Sequence, residues 1–304
     1  MESIEIQTEL GVISALSSGS GPLVLMLHGF PDTKETWAAQ IVFLAANGFR
    51  AVAVSLRGYE PSSMPQDGDF TDTALAQDVV DIMDVLGATS AHLVGHDWGA
   101  AIAYRAANLF PERFNSLTTM AVPHAGNFAN EAFFTPKQAL MSWYMMFFQL
   151  RGISDWWVTR KNFKFLRRLW QIWSPGWVFS AQEFERLCDT FRKPGVVRAA
   201  LSYYRAALGP GAAPITPARR AANRYIVTVP TLGLTGANEG CIDADVFKIL
   251  MAPQYFPAGL EVQVLSGAGH FLHREQADLV NERILTWLQR HCVAPSPLAG
   301  GSLK

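Results

Sequence analysis

The sequence predicts an α/β fold in which a mostly parallel sheet is flanked by helices and interrupted by one long helical insertion. Short apolar runs alternate with helical segments toward both ends of the chain, as in parallel sheets with both faces covered. Between them, residues 125–223 are rich in Trp, Phe, Tyr, Met and Arg and show no convincing strand pattern. A chain of 304 residues, 49% of them hydrophobic, favours one large domain with an insertion.

The first part of the chain predicts a hairpin followed by alternating strands and helices. Residues 4–8 alternate apolar and polar side chains and residues 11–16 form a second short run, which together predict an antiparallel hairpin. Further strands are predicted at residues 23–27, 50–56, 91–94 and 117–122, with helices at about 35–46, 71–86 and 99–109. In the second helix, Asp78, Asp81 and Asp84 are expected to face away from the core, and Gly87 ends the helix.

The last part of the chain returns to the strand pattern. Strands are predicted at residues 225–235 and 260–265, and a helix at about 276–290 closes the fold. We therefore expect residues 1–124 and 224–294 to form the core, residues 125–223 a helical cap, and residues 295–304 a flexible tail. Cap aromatics could line an apolar pocket, although most are expected to be ordinary packing: Trp143, Tyr144, Phe147, Phe148, Trp156, Trp157, Trp170, Trp173 and Trp177.

Composition excludes several classes of function. A net charge of −1 gives no bias toward nucleic acid or an acidic membrane surface. The three cysteines, Cys188, Cys241 and Cys292, are odd in number and widely spaced, which fits a reducing compartment better than a disulfide framework. The first residues are acidic and no signal-peptide pattern follows, so we expect a cytoplasmic protein. The oligomeric state is not legible, and a homodimer remains open.

Two kinds of cofactor site lack support in the sequence. There is no H-E-x-x-H motif and no clustered set of Cys and His, so no metal site is predicted. No G-x-G-x-x-G motif follows the first parallel strand, which argues against a dinucleotide cofactor. We therefore expect a protein without a cofactor.

The motif that carries chemistry is Gly95-His96-Asp97-Trp98-Gly99, between a predicted strand and a predicted helix. It matches the nucleophile elbow G-x-S-x-G, with aspartate in place of serine. A carboxylate with a pKa of about 4 is already anionic at neutral pH and needs no base to become a nucleophile. Asp97 is therefore a candidate for attack on a saturated carbon, which would leave an ester on the enzyme. A serine esterase would require serine at this position.

A histidine and an acidic residue complete a predicted triad. His270 follows the last predicted strand in Gly267-Ala268-Gly269-His270-Phe271, and a neutral imidazole is well suited to remove a proton near pH 7. A carboxylate after the preceding strand would orient it. The order of nucleophile, acid and histidine is that of the α/β-hydrolase fold.

Over residues 23–288 the chain resembles the α/β-hydrolases with an aspartate nucleophile, the epoxide hydrolases and haloalkane dehalogenases. Three segments carry the resemblance: His28-Gly29-Phe30-Pro31, Gly95-His96-Asp97-Trp98-Gly99, and Gly267-Ala268-Gly269-His270-Phe271. The resemblance implies Glu239 as the triad acid, where the family usually has aspartate; Asp243 and Asp245 compete for this role. It also implies that the backbone N–H groups of Phe30 and Trp98 form an oxyanion hole, with His28, Gly29 and Pro31 shaping the turn.

The same resemblance separates two reactions. Epoxide hydrolases present two cap phenols to the epoxide oxygen, and their segments are similar to those containing Tyr144 and Tyr204, with Tyr203 as the fallback for the second. A phenol can protonate the alkoxide that develops as an epoxide opens. Dehalogenases hold a halide with indole and amide N–H groups; Trp98 could supply one, but Phe30 stands where many of them have asparagine.

We therefore predict an epoxide hydrolase. Its partners would be a small apolar epoxide and water, and its product a vicinal diol formed through an alkyl-enzyme ester on Asp97. A haloalkane dehalogenase using Asp97 and His270 is the alternative reaction. A binding protein without catalytic activity is the alternative from another class, although it would not need Asp97, His270 and an acid together.

Overall fold

The computed structural model describes residues 1–131, 135–208 and 216–292, and within them an eight-stranded sheet forms the centre of the fold. The strands are β1 Glu2–Thr8, β2 Gly11–Ser18, β3 Leu23–Leu27, β4 Arg50–Val54, β5 Ala91–His96, β6 Phe114–Met120, β7 Thr231–Gly236 and β8 Leu260–Leu265. Their order in the sheet is β1-β2-β4-β3-β5-β6-β7-β8. β2 pairs antiparallel with β1 and β4, and every later pairing is parallel.

Helices cover both faces of this sheet. Their bounds are α1 Ala38–Ala46, α2 Asp72–Val85, α3 Trp98–Leu109, α4 Ala125–Glu131, α5 Pro136–Met141, α6 Trp143–Phe147, α7 Ile153–Trp173, α8 Ala181–Arg192, α9 Val196–Leu208, α10 Pro217–Asn223, α11 Ala244–Leu250, α12 Leu272–Glu275 and α13 Ala277–Arg290. Alternate residues of β3 enter different apolar clusters: Leu25 packs in one and Met26 in the other. This division is what a strand covered on both faces requires, and it confirms the predicted α/β fold.

Most predicted strands and helices are confirmed, with differences at their ends. The predicted helix at 35–46 begins as a 3-10 turn at Lys34–Trp37 before α1. The predicted strand at 225–235 is wrong in its first half, because β7 begins only at Thr231. Pro230 directly precedes it and has no N–H to donate to a neighbouring strand.

The prediction that Asp78 faces solvent is wrong. Asp78 is buried, and both its carboxylate oxygens accept hydrogen bonds from the Arg57 guanidinium at 2.6 and 2.7 Å. The bidentate pair satisfies an acidic group that burial would otherwise penalise. Spacing along α2 could not reveal this, because the partner lies in the loop after β4.

The chain between β6 and β7 forms helices α4 to α10 in the part that the structure describes, and no strand. These helices contact loops at the carboxyl ends of the parallel strands. The Trp170 indole donates a hydrogen bond to the Pro31 carbonyl at 2.8 Å, and the Tyr203 hydroxyl donates to the Arg57 carbonyl at 2.8 Å. The division into core and cap stays a prediction, and the predicted tail at 295–304 lies outside the described residues. Among the described helices, none is long and apolar enough to cross a membrane.

Candidate active site

Asp97 sits on a sharp turn between β5 and α3. Its backbone has φ 52° and ψ −118°, a conformation that residues other than glycine rarely adopt. The turn depends on close backbone approaches: a Cβ atom on Gly99 would collide with the Leu27 carbonyl, and one on Gly95 with the Gly99 carbonyl. The GHDWG sequence therefore permits the turn because its two glycines carry no side chain where the chains meet.

Backbone N–H groups hold the Asp97 carboxylate in a buried position. The Phe30 N–H donates to Asp97 Oδ1 at 2.7 Å, and the Trp98 N–H also stabilises the charge. Burial raises the pKa of Asp97 to about 6, although His270 and these two N–H groups oppose the rise. Asp97 is thus a stronger base than the sequence alone suggested, and it still carries its charge at neutral pH.

His270 lies beside this carboxylate and is itself oriented by Glu239. Its Nε2 is 3.6 Å from Asp97 Oδ2, and its Nδ1 is 3.0 Å from each oxygen of Glu239. A carboxylate can only accept, so the Nδ1–H donates to Glu239 and Nε2 faces Asp97. All three side chains are buried, and Nε2 makes no hydrogen bond to any described residue.

Charges rather than burial decide the pKa of His270. Burial alone would lower the pKa of this imidazole, but the negative charge and hydrogen bond of Glu239 raise it, assisted by the charge of Asp97. The net direction is upward from the usual value. A change in the charge of Asp97 therefore changes the proton affinity of His270.

Asp243 and Asp245, the two other candidates for the triad acid, make contacts away from His270. Asp243 caps the N-terminus of α11, where its Oδ1 accepts from the backbone N–H groups of Asp245 and Val246, and it pairs with Lys137. Asp245 pairs with Lys248 at 2.7 Å. Of the three predicted candidates, Glu239 is the one that the structure places against His270.

A cavity of about 450 Å³ opens beside Asp97. Tyr144, Tyr203 and Tyr204 all line it, as do Asp97 and Trp98. Nine cap aromatics were predicted as possible pocket residues. Among the residues that the structure describes at the cavity wall, only Tyr144 belongs to this group, so most of the nine lie elsewhere. Trp143, Trp156 and Trp157, for instance, are exposed.

Hydrogen bonds distinguish the two adjacent tyrosines. Tyr203 donates its hydroxyl to the Arg57 carbonyl, whereas the buried Tyr204 hydroxyl donates its proton to no described residue. The Trp98 side chain interacts with the Tyr204 oxygen and opposes the rise in its pKa. The Tyr144 hydroxyl lies 3.2 Å from the Cys241 sulfur, and its ring is edge-on to that of Tyr204 at 5.8 Å. Burial and the nearby Asp97 raise the pKa of Tyr144 and of Tyr204 well above the usual value. Both therefore keep their protons and remain hydrogen-bond donors.

The turn before Phe30 is fixed by His28. Its Nε2 accepts a hydrogen bond from the Leu56 N–H at 3.1 Å, and its Nδ1 donates to the Gly29 carbonyl at 3.0 Å. Burial lowers the pKa of His28 to about 4, so the ring is neutral and keeps this pattern. Gly29 lies directly against the Asp97 side chain, where a Cβ atom would collide with it. The predicted motif residues thus place the Phe30 N–H at the carboxylate.

Sequence reasoning gave Cys241 no role at this site and did not single out Trp173 among the cap aromatics. Cys241 lines the cavity, and its own N–H donates to Glu239 Oε1 at 2.7 Å. Trp173 packs against His270 with ring centres 4.9 Å apart, and its carbonyl accepts the His270 N–H at 3.0 Å. The position of Cys241 two residues after Glu239 was a signal that could have found it; Trp173 carried none that separated it from the other cap aromatics.

A family model described as alpha/beta hydrolase fold matches residues 22–277. The chain belongs to this family. Human epoxide hydrolase 4 is similar to this α/β-hydrolase, with 30% identity over 88% of this chain and 72% of its own length. An epoxide hydrolase from Caballeronia sordidicola is 29% identical over 89% of this chain and 88% of its own.

Solved structures agree with the family. A Bacillus megaterium epoxide hydrolase in complex with an inhibitor matches with a TM-score of 0.80 and 26% identity, covering 95% of this chain and 100% of its own. An epoxide hydrolase from Vigna radiata matches in fold with a TM-score of 0.79, at 24% identity over 95% of this chain and 98% of its own. These comparisons, together with the family match, show a hydrolase enzyme.

The contacts of Glu239 and Asp243 predict different effects of removing each charge. Glu239→Gln keeps the shape of the side chain but removes the charge beside His270, so hydrolytic turnover should fall by about 10²-fold or more. Asp243→Asn is the matched control: asparagine is an equally good N-cap, and turnover should change by less than about threefold. Initial rates of both purified variants measure this. A larger loss in Asp243→Asn than in Glu239→Gln would contradict the assignment.

Proposed function

We propose that this α/β-hydrolase is an epoxide hydrolase that opens an epoxide through a covalent ester on Asp97. The observation that carries the proposal is a buried carboxylate at the wall of a cavity that two protonated tyrosines also line, with a histidine–carboxylate pair beside it. The names of the relatives support the substrate class.

The first step is attack of an Asp97 oxygen on an epoxide carbon. The new carbon–oxygen bond forms as the epoxide carbon–oxygen bond breaks, and the electron pair moves onto the epoxide oxygen. The carboxylate is poised for this step, since burial has stripped it of water while the Phe30 and Trp98 N–H groups hold its direction.

Tyr144 and Tyr204 would stabilise the developing alkoxide. Each keeps a proton at neutral pH, and both line the cavity. One phenol supplies its proton to the alkoxide and the other donates a hydrogen bond, which leaves a hydroxyl on the neighbouring carbon. The Tyr204 hydroxyl donates its proton to no described residue, so it can donate to the alkoxide without first breaking such a bond. A halide leaving group would need no proton, so the paired phenols favour the epoxide over the haloalkane.

The second step frees the product from the ester. Esterification removes the negative charge of Asp97, which is one of the interactions that raise the pKa of His270, and the neutral imidazole becomes more favourable. His270 Nε2 then takes a proton from water as the water oxygen attacks the ester carbonyl. Glu239 stabilises the imidazolium, and the Phe30 and Trp98 N–H groups stabilise the oxyanion.

Collapse of the tetrahedral intermediate completes the reaction. The bond breaks between the carboxyl carbon of Asp97 and the ester oxygen that is bonded to the substrate carbon, and that oxygen takes the proton held by His270. The product is a vicinal diol, and Asp97 is left with the water oxygen and its second proton; it loses that proton to solvent and is restored as a carboxylate. One hydroxyl of the diol comes from the epoxide oxygen and the other from Asp97. The phenol that gave its proton recovers one from solvent.

The cavity suggests the class of substrate. Apolar residues such as Leu75, Ile102 and Phe128 share the wall with the catalytic groups, and about 450 Å³ suits a small organic molecule. We therefore propose small apolar epoxides as substrates. The cytoplasmic location stays a prediction from the sequence, which predicts no particular oligomeric state.

His270→Ala should trap the ester, because the variant keeps the nucleophile but loses the base for the second step. Intact-protein mass spectrometry after incubation with a panel of small epoxides should show the mass of one whole epoxide added per chain, on the peptide that contains Asp97. The double variant Asp97→Asn/His270→Ala is the control and should acquire none. A folded His270→Ala protein that forms no adduct with any epoxide would overturn the proposal; an alkyl adduct with halide release from haloalkanes would favour a dehalogenase.

The tyrosines predict a second result. Tyr144→Phe and Tyr204→Phe should each lower kcat/KM for epoxides by about 10²-fold, since each removes one donor to the alkoxide, and the double variant should lose epoxide opening. Tyr203→Phe is the matched control: it loses the bond to the Arg57 carbonyl, about 1 kcal/mol of stability, with little change in rate. Initial rates and thermal unfolding separate the two effects. Full activity in the double variant would reject both tyrosines.

A further inference from the structure

Cys241 places a thiol among the catalytic groups. Its sulfur, a carboxylate oxygen of Asp97 and a ring nitrogen of His270 all lie within 4.8 Å of one another. All three residues are buried, and Cys241 and Asp97 line the cavity. The proposed reaction gives the thiol no part. A sulfur, an imidazole nitrogen and a carboxylate oxygen are, however, the three donor types that proteins use to bind zinc.

His270 is already arranged as a metal ligand. Its Nδ1–H donates to Glu239, which leaves the lone pair of Nε2 free, and Nε2 is fully buried with no hydrogen bond to a described residue. A carboxylate that holds one ring nitrogen while the other binds metal is the usual surrounding of histidine ligands in proteins. This unpartnered nitrogen is 3.6 Å from Asp97 Oδ2.

We propose that Cys241, His270 and Asp97 bind one soft or borderline divalent cation, of the class of Zn²⁺ or Cd²⁺. Around tetrahedral zinc, ligand atoms are about 3.3–3.6 Å apart, given metal–ligand distances of about 2.0–2.3 Å. The His270–Asp97 pair at 3.6 Å meets this spacing. The sulfur lies within 4.8 Å of the other two ligand atoms and would move closer to them, and its proton leaves to solvent as the thiolate binds the metal.

The cavity supplies a way in and a fourth ligand. Its wall includes Thr71 and Asp72, both exposed, so it reaches solvent. A water molecule from the cavity completes a tetrahedral site, the arrangement of zinc sites with three protein ligands. Because a thiolate is a soft ligand, the site should discriminate against Mg²⁺ and Ca²⁺, which prefer oxygen.

Binding of the cation would inhibit the enzyme. It would occupy the lone pair of Nε2 that activates water and the carboxylate oxygen that attacks the substrate, so both steps would stop. This inhibition rests on the proposed function, whereas binding of the metal to the three side chains does not. The two can therefore be tested separately.

The binding test uses Cd²⁺, because a cadmium–thiolate bond has an ultraviolet charge-transfer band. Full-length protein without a polyhistidine tag is titrated with CdCl₂, and we expect a band that saturates at one Cd²⁺ per chain. In Cys241→Ser the band should be lost and the affinity for Zn²⁺, measured by competition with a chromophoric chelator, should fall at least tenfold. The matched control is Cys188→Ala/Cys292→Ser, which keeps Cys241 as its single cysteine and should keep the band.

Several outcomes would overturn the site. These are absence of the band in the wild-type protein, its persistence in Cys241→Ser, or its loss in the double control despite a native circular dichroism spectrum. A wild-type crystal soaked in CdCl₂ gives a reading that does not depend on any variant folding. An anomalous peak bonded to the Cys241 sulfur supports the proposal, and peaks elsewhere without one there reject it.

Inhibition is measured for each protein as its turnover with metal divided by its own turnover without metal. Zn²⁺ should lower the epoxide turnover of the wild-type and control proteins at concentrations at which Mg²⁺ does not, and Cys241→Ser should need at least ten times more Zn²⁺ for the same fractional loss. Equal sensitivity of the two would contradict a role for the thiol. Should the protein turn over no epoxide, the charge-transfer band and the crystal still decide whether the metal site exists.

Discussion

The structure of the site depends on a negative charge that is held with little contact with solvent. Asp97 keeps its carboxylate on a strained turn, against the Phe30 N–H at 2.7 Å and almost out of contact with solvent. The rise of its pKa from 3.8 to about 6 corresponds to about 3 kcal/mol by which burial disfavours the anion, after His270 and the Phe30 and Trp98 N–H groups have offset part of the cost. A poorly solvated anion with a fixed direction is what displacement at carbon requires.

The same charge links the two halves of the proposed reaction. While Asp97 is anionic, it and Glu239 favour the proton on His270; once Asp97 is esterified, that contribution disappears. His270 would thus become able to accept a proton from water once the ester on Asp97 has formed. Glu239 has a second role in the site, because it also accepts the Cys241 N–H and so places the thiol beside the cavity. The candidate metal site follows from the same constraint that orients the base.

The sequence predicts the features that depend on neighbouring residues, and it does not predict those that depend on contacts between residues far apart in the chain. The sheet, the elbow at Asp97 and the position of His270 come from apolar runs and short motifs, which are local. The choices between Glu239 and Asp243, and between Tyr203 and Tyr204, depend on contacts with distant groups such as His270 and Arg57. Asp78 was misplaced for the same reason. Burial of Asp97, which sets its pKa, is also invisible to a motif.

Labelled water tests the central claim most directly. In a single turnover in H₂¹⁸O with enzyme in excess over epoxide, we expect an unlabelled diol, because one of its oxygens comes from the substrate and the other from Asp97. The label should then be found in the carboxylate of the Asp97 peptide. A diol that carries ¹⁸O after that first turnover, with an unlabelled peptide, would show that water attacks the epoxide directly and would contradict the covalent role of Asp97.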